Sequence, residues 1–401
     1  MFNTEEIRKN FPVLSGKNPP VYFDSACGSL KPREVIASIA EYYEKYPSCA
    51  GRSFHRLSAL VGKKVAEARK TVAGFIGVRQ EEIVFVKNTT EAVNLVARSF
   101  PFKKNDAVLI SDKEHNSNFL PWKLLAEEKK IKLLIFKTDG GGIDLKKFED
   151  IFQKNKNIRL VSLSLASNLD GLFIPASKIG KIIKKYKAHL FLDAAQALPH
   201  KKIDAKSLNA DFLAFSGHKL YGPTGIGVLY IKDLIKNQAG LKPFLVGGGA
   251  VDEKNNFLSG PEKFEAGLQN YSGILGLKTA INFLDKIGMK KIEEYENELL
   301  CFLTEELEKI PRLKIVNESL KKDSETRAPI VSFFIENIDS HSLAIRLDQK
   351  YNIAVRSGFF CNNHYFQKEK LKKAVRLSLS FYNTKKEIEY FIRCLKKELV
   401  K

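Results

Sequence analysis

The sequence predicts an α/β protein with a mostly parallel sheet, followed by a smaller α+β part. Short apolar runs alternate with helical patterns as far as Tyr230, and several of these runs end in small or polar residues. After Tyr230 the pattern changes to loops, a long helix and short strands. Because alternating strands and helices form parallel sheets, we predict a large domain over residues 18–272 and a small domain built from residues 1–17 and 273–401.

The composition is typical of a globular protein, with 44% hydrophobic and 10% aromatic residues. The formal charge of +20 comes largely from lysines that are spread as short pairs without interleaved aromatic residues. That spacing favours a solvated surface over a nucleic-acid site. Docking of an acidic protein partner is the second interpretation.

The sequence also bears on location and on metals. No apolar run reaches membrane-spanning length, and the first residues lack the layout of a signal peptide. We therefore expect a cytoplasmic protein without a membrane partner. The five cysteines form no Cys-x-x-Cys pair, which argues against a disulfide framework and against a metal site.

The first part of the chain is predicted to form three helices and one short strand. Residues 4–12 predict a capped helix, and residues 21–24 predict a strand that leads into a turn of small residues. Cys27 lies in that turn, and we favour a small buried hydrophobe over a thiol near a ligand. Helices are predicted at 33–46 and 58–75.

His55 lies in the loop between those two helices. Its position among glycine and serine residues supports a structural histidine and a group of a functional site equally.

The next two strands each lead into a helix through a polar turn. The first, at residues 83–87, is followed by Thr89 and Thr90 at a helix N-terminus, where N–H groups and the helix dipole favour a phosphate. Simple capping of the helix is the alternative. The second strand ends before His115, which is suited either to stacking on a planar ring or to acid–base chemistry, with a structural histidine as the other interpretation.

Two further strands end in groups that need polar partners. The strand in 158–171 leads to Asn168, and the strand in 189–196 ends at Asp193, with Gln196 three residues later. A carboxylate at the tip of an apolar strand has a large desolvation cost unless a cation meets it. A protonated pyridine nitrogen is a suitable partner.

The segment 211–230 combines a buried strand with a polar turn that carries Ser216, His218 and Lys219. A lysine near apolar walls and a second cation has a lowered pKa and can form a Schiff base with a carbonyl cofactor. Ser216 and His218 can donate hydrogen bonds to a phosphate. A solvated lysine is the alternative for Lys219 taken alone.

The last third predicts a helix over 274–310 and short strands that carry three candidate groups. Arg376 lies in an apolar strand pattern, where it would either clamp a substrate carboxylate or form an internal salt bridge. Cys361 lies in a polar loop that we expect to be exposed, and Arg356 nearby can stabilise a thiolate. A buried structural thiol is the alternative for Cys361.

Five segments together resemble one enzyme family: FSGHKLYGPTGIG, TTEAVNLVA, EHNSN, DAAQALPH and FEAG. The chain resembles the class V aminotransferase superfamily of pyridoxal-phosphate enzymes of fold type I, over nearly its whole length. Within that superfamily it is similar to the SUF-type (group II) cysteine desulfurases and the selenocysteine lyases. The resemblance implies a fold-type I α/β large domain and a homodimer with active sites near the subunit interface.

The resemblance also implies a role for each candidate residue. Lys219 would bind pyridoxal 5'-phosphate covalently, and Cys361 would be the nucleophile that takes sulfur from the substrate. The other cofactor contacts implied are Asp193 at the pyridine nitrogen, His115 on the ring, Gln196 and Asn168 near the phenolic oxygen, and Thr89, Thr90, Ser216 and His218 at the phosphate. Arg376 would bind the substrate carboxylate. Apart from the resemblance, we take Arg356 and His55 as candidate substrate contacts.

The implied function is a pyridoxal-phosphate-dependent cysteine desulfurase that converts L-cysteine to L-alanine and an enzyme persulfide. A persulfide-acceptor protein would use the sulfur for iron–sulfur clusters or a related thio-cofactor. One alternative is a selenocysteine lyase, acting on L-selenocysteine, or another class V lyase, epimerase or aminotransferase. A second alternative is a noncatalytic sulfur-trafficking subunit.

The chain departs from the family pattern at a few positions. Phe359 and Phe360 stand where two histidines usually precede the cysteine, so acid–base help in that loop is missing or moves to His364. Leu268 replaces a threonine after Glu-Ala-Gly, and Cys27 replaces an alanine.

Overall fold

A computed structural model describes residues 2–51, 53–138, 142–234, 240–317 and 326–399. It confirms the α/β prediction. The helices are α1 Thr4–Arg8, α2 Arg33–Lys45, α3 Arg56–Phe75, α4 Thr89–Ser99, α5 Asn116–Lys129, α6 Leu145–Lys154, α7 Ala176–Lys185, α8 Tyr271–Ile287, α9 Met289–Glu308, α10 Ser340–Tyr351, α11 Asn363–Lys368 and α12 Lys385–Leu399. The strands are β1 Val21–Tyr22, β2 Ile83–Val86, β3 Ala107–Ser111, β4 Lys132–Phe136, β5 Ile158–Ser164, β6 His189–Asp193, β7 Phe212–Ser216, β8 Gly227–Ile231, β9 Leu313–Ile315, β10 Ile330–Ile335, β11 Ile353–Ala354, β12 Arg356–Gly358 and β13 Ala374–Ser378.

The large sheet has seven strands in the order β2-β8-β7-β6-β5-β3-β4. The five strands from β7 to β4 are parallel, whereas β8 is antiparallel to both β7 and β2. Consequently β2 runs in the same direction as the parallel strands, although it lies at the far edge. The carboxyl ends of all strands except β8 therefore meet at one edge of the sheet, which is where such sheets bind ligands.

Both faces of this sheet are covered by helices, which explains why most residues of its central strands β3, β6 and β7 are apolar and buried. In β3, Val108 and Ile110 pack with apolar residues of α4 and α5. Their neighbours Ala107 and Leu109 belong to the cluster that contains apolar residues of α3 and α8 on the other face. Successive side chains of a strand point to opposite faces, so a strand buried on both faces needs no polar alternation.

A second sheet of four antiparallel strands, β12-β13-β10-β9, forms with α9, α10 and α12 a separate apolar cluster. Several backbone contacts link this part to the rest of the chain, among them the following two. Strand β1 pairs in parallel with β11, and Asp24 forms a bridge with Ser378 at the end of β13. The domain boundaries predicted from the sequence stay a prediction, since α8 packs closely with α2 and α3 of the large part.

Two predicted helices are wrong in their extent. The helix expected over 274–310 is two helices, α8 and α9, because Gly288 between them has φ 93° and cannot continue an α-helix. The helix expected over 4–12 ends at Arg8, and a short 3₁₀ turn at Pro12–Leu14 follows. A proline is tolerated in the first turn of a helix but not in its interior.

Across the ranges given above, no helix is both long enough and apolar enough to span a bilayer. The same ranges contain no group of three or more His, Cys, Asp or Glu side chains placed to hold a metal ion.

Gly171, in the turn after β5, provides a test of how the two sheets are joined. It has φ 76°, its carbonyl accepts a hydrogen bond from Ala328 N at 2.8 Å, and an added Cβ would collide with the Ala328 carbonyl oxygen. We expect Gly171→Ala to lower the free energy of unfolding by about 2 kcal/mol or more.

The matched control is Gly62→Ala, since Gly62 lies inside α3 with no atom within 4 Å of an added Cβ. That change should raise the free energy of unfolding by up to about 1 kcal/mol through helix propensity. Urea unfolding of both variants measures the difference. A Gly171→Ala protein as stable as the wild type would contradict the proposed contact with Ala328.

Candidate active site

One cavity lies where the carboxyl edge of the large sheet meets the small sheet, and it brings the predicted residues together. Every residue predicted for the site except His55 lines it. The large sheet and its loops contribute Thr89, Thr90, His115, Asn168, Asp193, Gln196, Ser216, His218 and Lys219, and the small sheet and its loop contribute Arg356, Cys361 and Arg376. The cavity therefore depends on how the two sheets are placed against each other.

Lys219 and Asp193 form the polar centre of the cavity. Asp193 is the last residue of β6, and Lys219 follows the end of β7, so adjacent parallel strands carry them. Burial lowers the pKa of Lys219, against an opposing effect of the Asp193 carboxylate. Burial likewise raises the pKa of Asp193, against the positive charge of Lys219. For both groups, desolvation therefore makes the charged form unfavourable unless a partner of opposite charge stabilises it.

His115 is a neutral imidazole at the start of α5. Its Nδ1 accepts a hydrogen bond from Ser117 N at 3.1 Å, and burial, followed by the charges of Lys219 and Arg376, lowers its pKa to about 3. The preceding residue, Glu114, is buried and accepts hydrogen bonds from Ser111, Asn118 and Ser164. Burial raises the pKa of Glu114 to about 7. This network fixes the backbone from which the His115 ring projects.

Two helix N-termini, those of α4 and α5, border the cavity with hydroxyl groups. Thr89 and Ser216 hydroxyls are 2.8 Å apart, and Thr90 and Ser117 hydroxyls are 2.7 Å apart. Burial, then the charges of Lys219 and Lys31, lowers the pKa of His218 to about 4, so its ring is neutral and can donate one N–H. Hydroxyl and N–H donors at helix N-termini form a favourable site for a phosphate.

Arg376 is predicted either to form an internal salt bridge or to bind a substrate carboxylate, and its contacts bear on both possibilities. It is 3% exposed, it forms a salt bridge with Asp24 at 3.1 Å, and its Nη1 donates to the Asn168 carbonyl at 3.1 Å. Its Nε is buried and has no hydrogen-bond partner within the described ranges. The internal salt bridge therefore exists, and one buried N–H of this cavity-lining residue has no partner among the described residues.

The two amide side chains of the site hold neighbouring loops. Gln196 Nε2 donates to the carbonyl of Ala26 at 2.7 Å, and Asn168 Nδ2 donates to the carbonyl of Phe360 at 2.8 Å. Each amide nitrogen has a second hydrogen to donate, so a contact of either side chain with a cofactor stays a prediction.

Cys361 is exposed at the cavity in a loop with an unusual backbone. Phe360 and Cys361 have φ values of 52° and 59°, both in the left-handed region. The loop is fixed by contacts with the large domain: Asn116 N donates to the Cys361 carbonyl at 2.6 Å, and Asn362 Nδ2 donates to the Lys113 carbonyl at 2.8 Å. The Phe360 ring lies 5.1 Å from the Arg376 guanidinium. The predicted exposed thiol is thus present and held in position.

The structure corrects the interpretation of Cys27. It is exposed and lines the cavity, whereas the sequence favoured a small buried hydrophobe. The reason is that its turn passes along the cavity wall and does not enter the core. Arg356 Nη1 donates to Cys27 Sγ at 3.9 Å, so Arg356 meets this second thiol as well as lying at the same cavity as Cys361.

Two histidines considered for the site lie outside this cavity. His55 is exposed and caps α3, accepting from Ser58 N at 3.3 Å through its Nδ1. Its structural role is therefore present, and its contact with substrate stays a prediction. His364 stacks on Phe119 with ring centroids 4.7 Å apart, and burial lowers its pKa. Neither ring lines the cavity that holds Cys361.

These side chains fit pyridoxal phosphate by their chemistry. The buried Asp193 carboxylate suits a protonated ring nitrogen, and the partly buried Lys219 amine suits a carbonyl. The hydroxyls at the two helix N-termini suit the phosphate. The Arg376 guanidinium, whose Nε has no partner among the described residues, suits the carboxylate of an amino acid.

Sequence reasoning missed Ser117 and Glu114. Ser117 extends the hydroxyl cluster to a second helix, and the signal for it was its place two residues after His115. Glu114 supports His115 from the buried side, and the sequence offered no signal for that role because an acidic residue in a turn usually faces solvent.

Comparison with known proteins gives one family over most of the chain. The aminotransferase class-V family matches residues 21–391. A probable cysteine desulfurase from Pyrococcus abyssi is 39% identical over 405 residues, covering 99% of this chain and 98% of the relative. Another, from Borreliella burgdorferi, is 39% identical and covers 98% and 95% of the two chains.

A solved structure agrees with these relatives. The apo structure of a cysteine desulfurase from Thermococcus onnurineus is 37% identical and superposes with a TM-score of 0.91, over 98% of this chain and 97% of that one.

The neutral His115 ring predicts a pH dependence of stability in the ligand-free protein. The unfolded chain binds a proton at this histidine as pH falls through about 6.5, whereas the folded chain, with a pKa of about 3, does not. Lowering the pH from 7.5 to 5 should therefore cost the folded state about 1 to 2 kcal/mol at this residue. The comparison is urea unfolding of wild type and His115→Gln at both pH values.

The variant should lose less stability than the wild type over that interval. Equal losses in the two proteins would mean that the His115 ring is protonated in the fold.

Proposed function

Since this chain belongs to the class V aminotransferase family and is a pyridoxal-phosphate-dependent cysteine desulfurase with L-cysteine as its substrate, we propose that its cavity leaves the removed sulfur as a persulfide on Cys361. The observation that carries the proposal is that an exposed thiol, a partly buried lysine and a buried arginine with one nitrogen unpartnered among the described residues line the same cavity. L-alanine is the other product.

Five groups of residues would hold the cofactor. We assign the covalent attachment to Lys219, the ring nitrogen to Asp193 and the ring face to His115. The phosphate contacts are assigned to Thr89, Thr90, Ser216 and His218, together with Ser117, and the contacts near the phenolic oxygen to Gln196 and Asn168. When bound, the cofactor supplies an electron sink for the bonds that change at the substrate.

Arg376 would bind and orient the substrate. Its guanidinium is fixed by Asp24 and by the Asn168 carbonyl, which leaves Nε to meet the carboxylate of L-cysteine. A guanidinium held in place by two partners loses little conformational entropy when it binds a carboxylate. This contact directs the substrate side chain, and with it the sulfur, toward the loop of Cys361.

Lys219 and Cys361 would carry the proton and the sulfur. Burial lowers the pKa of Lys219, so its Nζ can accept the proton from the substrate Cα once the substrate has entered. Cys361 Sγ then attacks the substrate sulfur, and an S–S bond forms as the substrate C–S bond breaks. The electron pair of that bond stays with the carbon, which takes up a proton to complete L-alanine.

The persulfide must leave Cys361 for a further thiol. Cys361 is exposed, so we propose that an acceptor protein brings a cysteine to it and passes the sulfur to iron–sulfur cluster assembly or to a related thio-cofactor. We propose that His55 contacts the substrate in the site of a neighbouring subunit, since it lies outside the cavity of its own subunit.

A homodimer is the proposed assembly, and exposed apolar side chains support it. Phe244, Leu245, Val246 and Leu268 are 36%, 45%, 71% and 63% exposed. Three of them, all but Val246, line a second cavity together with Lys87 and Glu91 at the start of α4. Burial of such side chains against another subunit removes a large apolar surface from water, and this surface adjoins the helix that carries Thr89 and Thr90.

Alanine formation tests the persulfide on Cys361. We expect Cys361→Ser to lower the formation of L-alanine from L-cysteine, measured with a reducing thiol present, by at least about 100-fold, because the sulfur loses its acceptor. Lys219→Ala should also abolish alanine formation and should further remove the absorbance of the lysine-bound cofactor.

Cofactor absorbance separates the two roles, since Cys361→Ser should retain it. If Cys361→Ser kept wild-type alanine formation, a lyase that needs no persulfide would replace the present assignment.

Sedimentation tests the homodimer. Leu268→Glu should shift the protein toward the monomer, because a charge buried without a partner is costly at an interface. Ile345→Glu is the matched control, since Ile345 is 54% exposed on α10, away from the second cavity. Analytical ultracentrifugation should give a dimer for the control and for the wild type. A wild-type monomer, or a Leu268→Glu dimer of undiminished stability, would refute this surface as the interface.

A further inference from the structure

Cys27 is a second exposed thiol in the cavity that contains Cys361. The chain has five cysteines; of these, Cys27 and Cys361 both line this cavity. Cys301, although exposed, lies on α9 beside a different cavity. No step of the proposed desulfuration uses Cys27. A second exposed thiol therefore lines the cavity of Cys361 without a role in the proposed reaction.

The turn that carries Cys27 is fixed to other residues of the site. Cys27 N donates to the Asp24 carbonyl at 3.0 Å, and the Asp24 side chain forms the salt bridge with Arg376. The adjacent carbonyl of Ala26 accepts from Gln196 at 2.7 Å. These contacts hold the Cys27 thiol at the cavity wall and keep it out of the core.

The surroundings of the two sulfurs suit an anionic sulfur group. Arg356 Nη1 donates to Cys27 Sγ at 3.9 Å, and the buried Arg376 has an Nε without a partner among the described residues. Burial lowers the pKa of Lys219, whereas the nearby Cys27 and Cys361 each raise it. The two thiols are thus close enough to the same amine to influence it.

We propose that Cys27 is a second sulfur carrier, which accepts the outer sulfur of the persulfide formed on Cys361. This inference rests on the proposed function. The Cys27 thiolate attacks the outer sulfur, the S–S bond to Cys361 Sγ breaks, and its electron pair leaves on Cys361 as a thiolate. One S–S bond forms as another breaks, so no external oxidant or reductant is required.

The relay has a direct consequence for turnover. Once its sulfur has moved to Cys27, Cys361 is a thiolate again and can take sulfur from a second L-cysteine before any external acceptor arrives. Each subunit would then store sulfur on two cysteines. Arg356 attracts the persulfide anion on Cys27 and holds it at the mouth of the cavity for an incoming thiol.

The stoichiometry of the first turnovers tests the relay. The holoenzyme is mixed with a small excess of L-cysteine and quenched before the free cysteine thiol removes the persulfides, and alanine is counted per subunit. We expect a burst of about two equivalents for wild type and about one for Cys27→Ala, because each acceptor thiol permits one turnover. Cys301→Ala is the matched control, with an expected burst equal to that of wild type. Cys27→Ser provides a second variant if Cys27→Ala folds poorly.

The position of the sulfur provides a readout that does not depend on rate. After the burst the protein is alkylated and digested, and peptide masses show which cysteine carries the additional sulfur. In wild type we expect it on both Cys27 and Cys361, and in Cys27→Ala on Cys361 alone. The Cys301 peptide should stay unlabelled, which excludes random exchange among exposed thiols.

The Cys361→Ser variant, compared with the wild type, distinguishes failure of the relay from failure of the proposed function. Cys361→Ser should form no burst and leave Cys27 unlabelled, because the relay begins at Cys361. Alanine formation or labelled Cys27 in that variant would overturn the proposed function together with the relay. The relay alone would be overturned if Cys361→Ser were inactive while the wild type gave a burst of about one equivalent and carried no additional sulfur on Cys27.

Two further outcomes would also overturn the relay. A peptide that joins Cys27 to Cys361 by a disulfide, with release of hydrosulfide, would mean that attack occurs at the inner sulfur. Labelling of Cys27 when Cys361→Ser is mixed with Cys27→Ala would mean that sulfur moves between separate protein molecules. Absence of both products, together with the burst of wild type, supports direct transfer within one cavity.

Discussion

The contact between Arg376 and its two partners holds the functional part of this molecule together. The guanidinium belongs to the small sheet, the Asn168 carbonyl follows a strand of the large sheet, and Asp24 lies in the turn near the N-terminus. A buried guanidinium is costly unless it is paired, so these three segments are required to meet. The cavity lies where they meet, and one nitrogen of Arg376 has no partner among the residues that the structure describes.

Burial gives the same cavity its chemistry. Lys219 and Asp193 are ordinary ionisable groups that the apolar surroundings push toward their neutral forms. His115 is pushed in the same direction and accepts a backbone hydrogen bond that fixes its tautomer. A neutral amine can bond to a carbonyl, and a buried carboxylate can stabilise a cationic ring. The reactivity of the site thus arises from desolvation as much as from the identity of its residues.

The loop that carries Cys361 has a strained backbone that is held in place by hydrogen bonds. Two successive residues, Phe360 and Cys361, adopt left-handed conformations that are costly for side chains with a Cβ. Hydrogen bonds from Asn168 and Asn116 to this loop compensate for that cost. The aromatic ring of Phe360 lies against the Arg376 guanidinium, so this side chain packs on a cavity-lining group and has no proton to exchange.

The sequence by itself determined the large sheet and most of its site, because strands that end in polar residues bring them to one edge when the strands are parallel. Asp193 and Lys219 could be assigned in this way without coordinates. Only the tertiary structure decided that Cys27 is exposed at the cavity that Cys361 also lines, that Ser117 joins the hydroxyl cluster, and that His55 lies elsewhere. Those facts depend on how the small sheet and the helix ends dock on the large sheet, and local sequence patterns carry no information on the direction of such contacts.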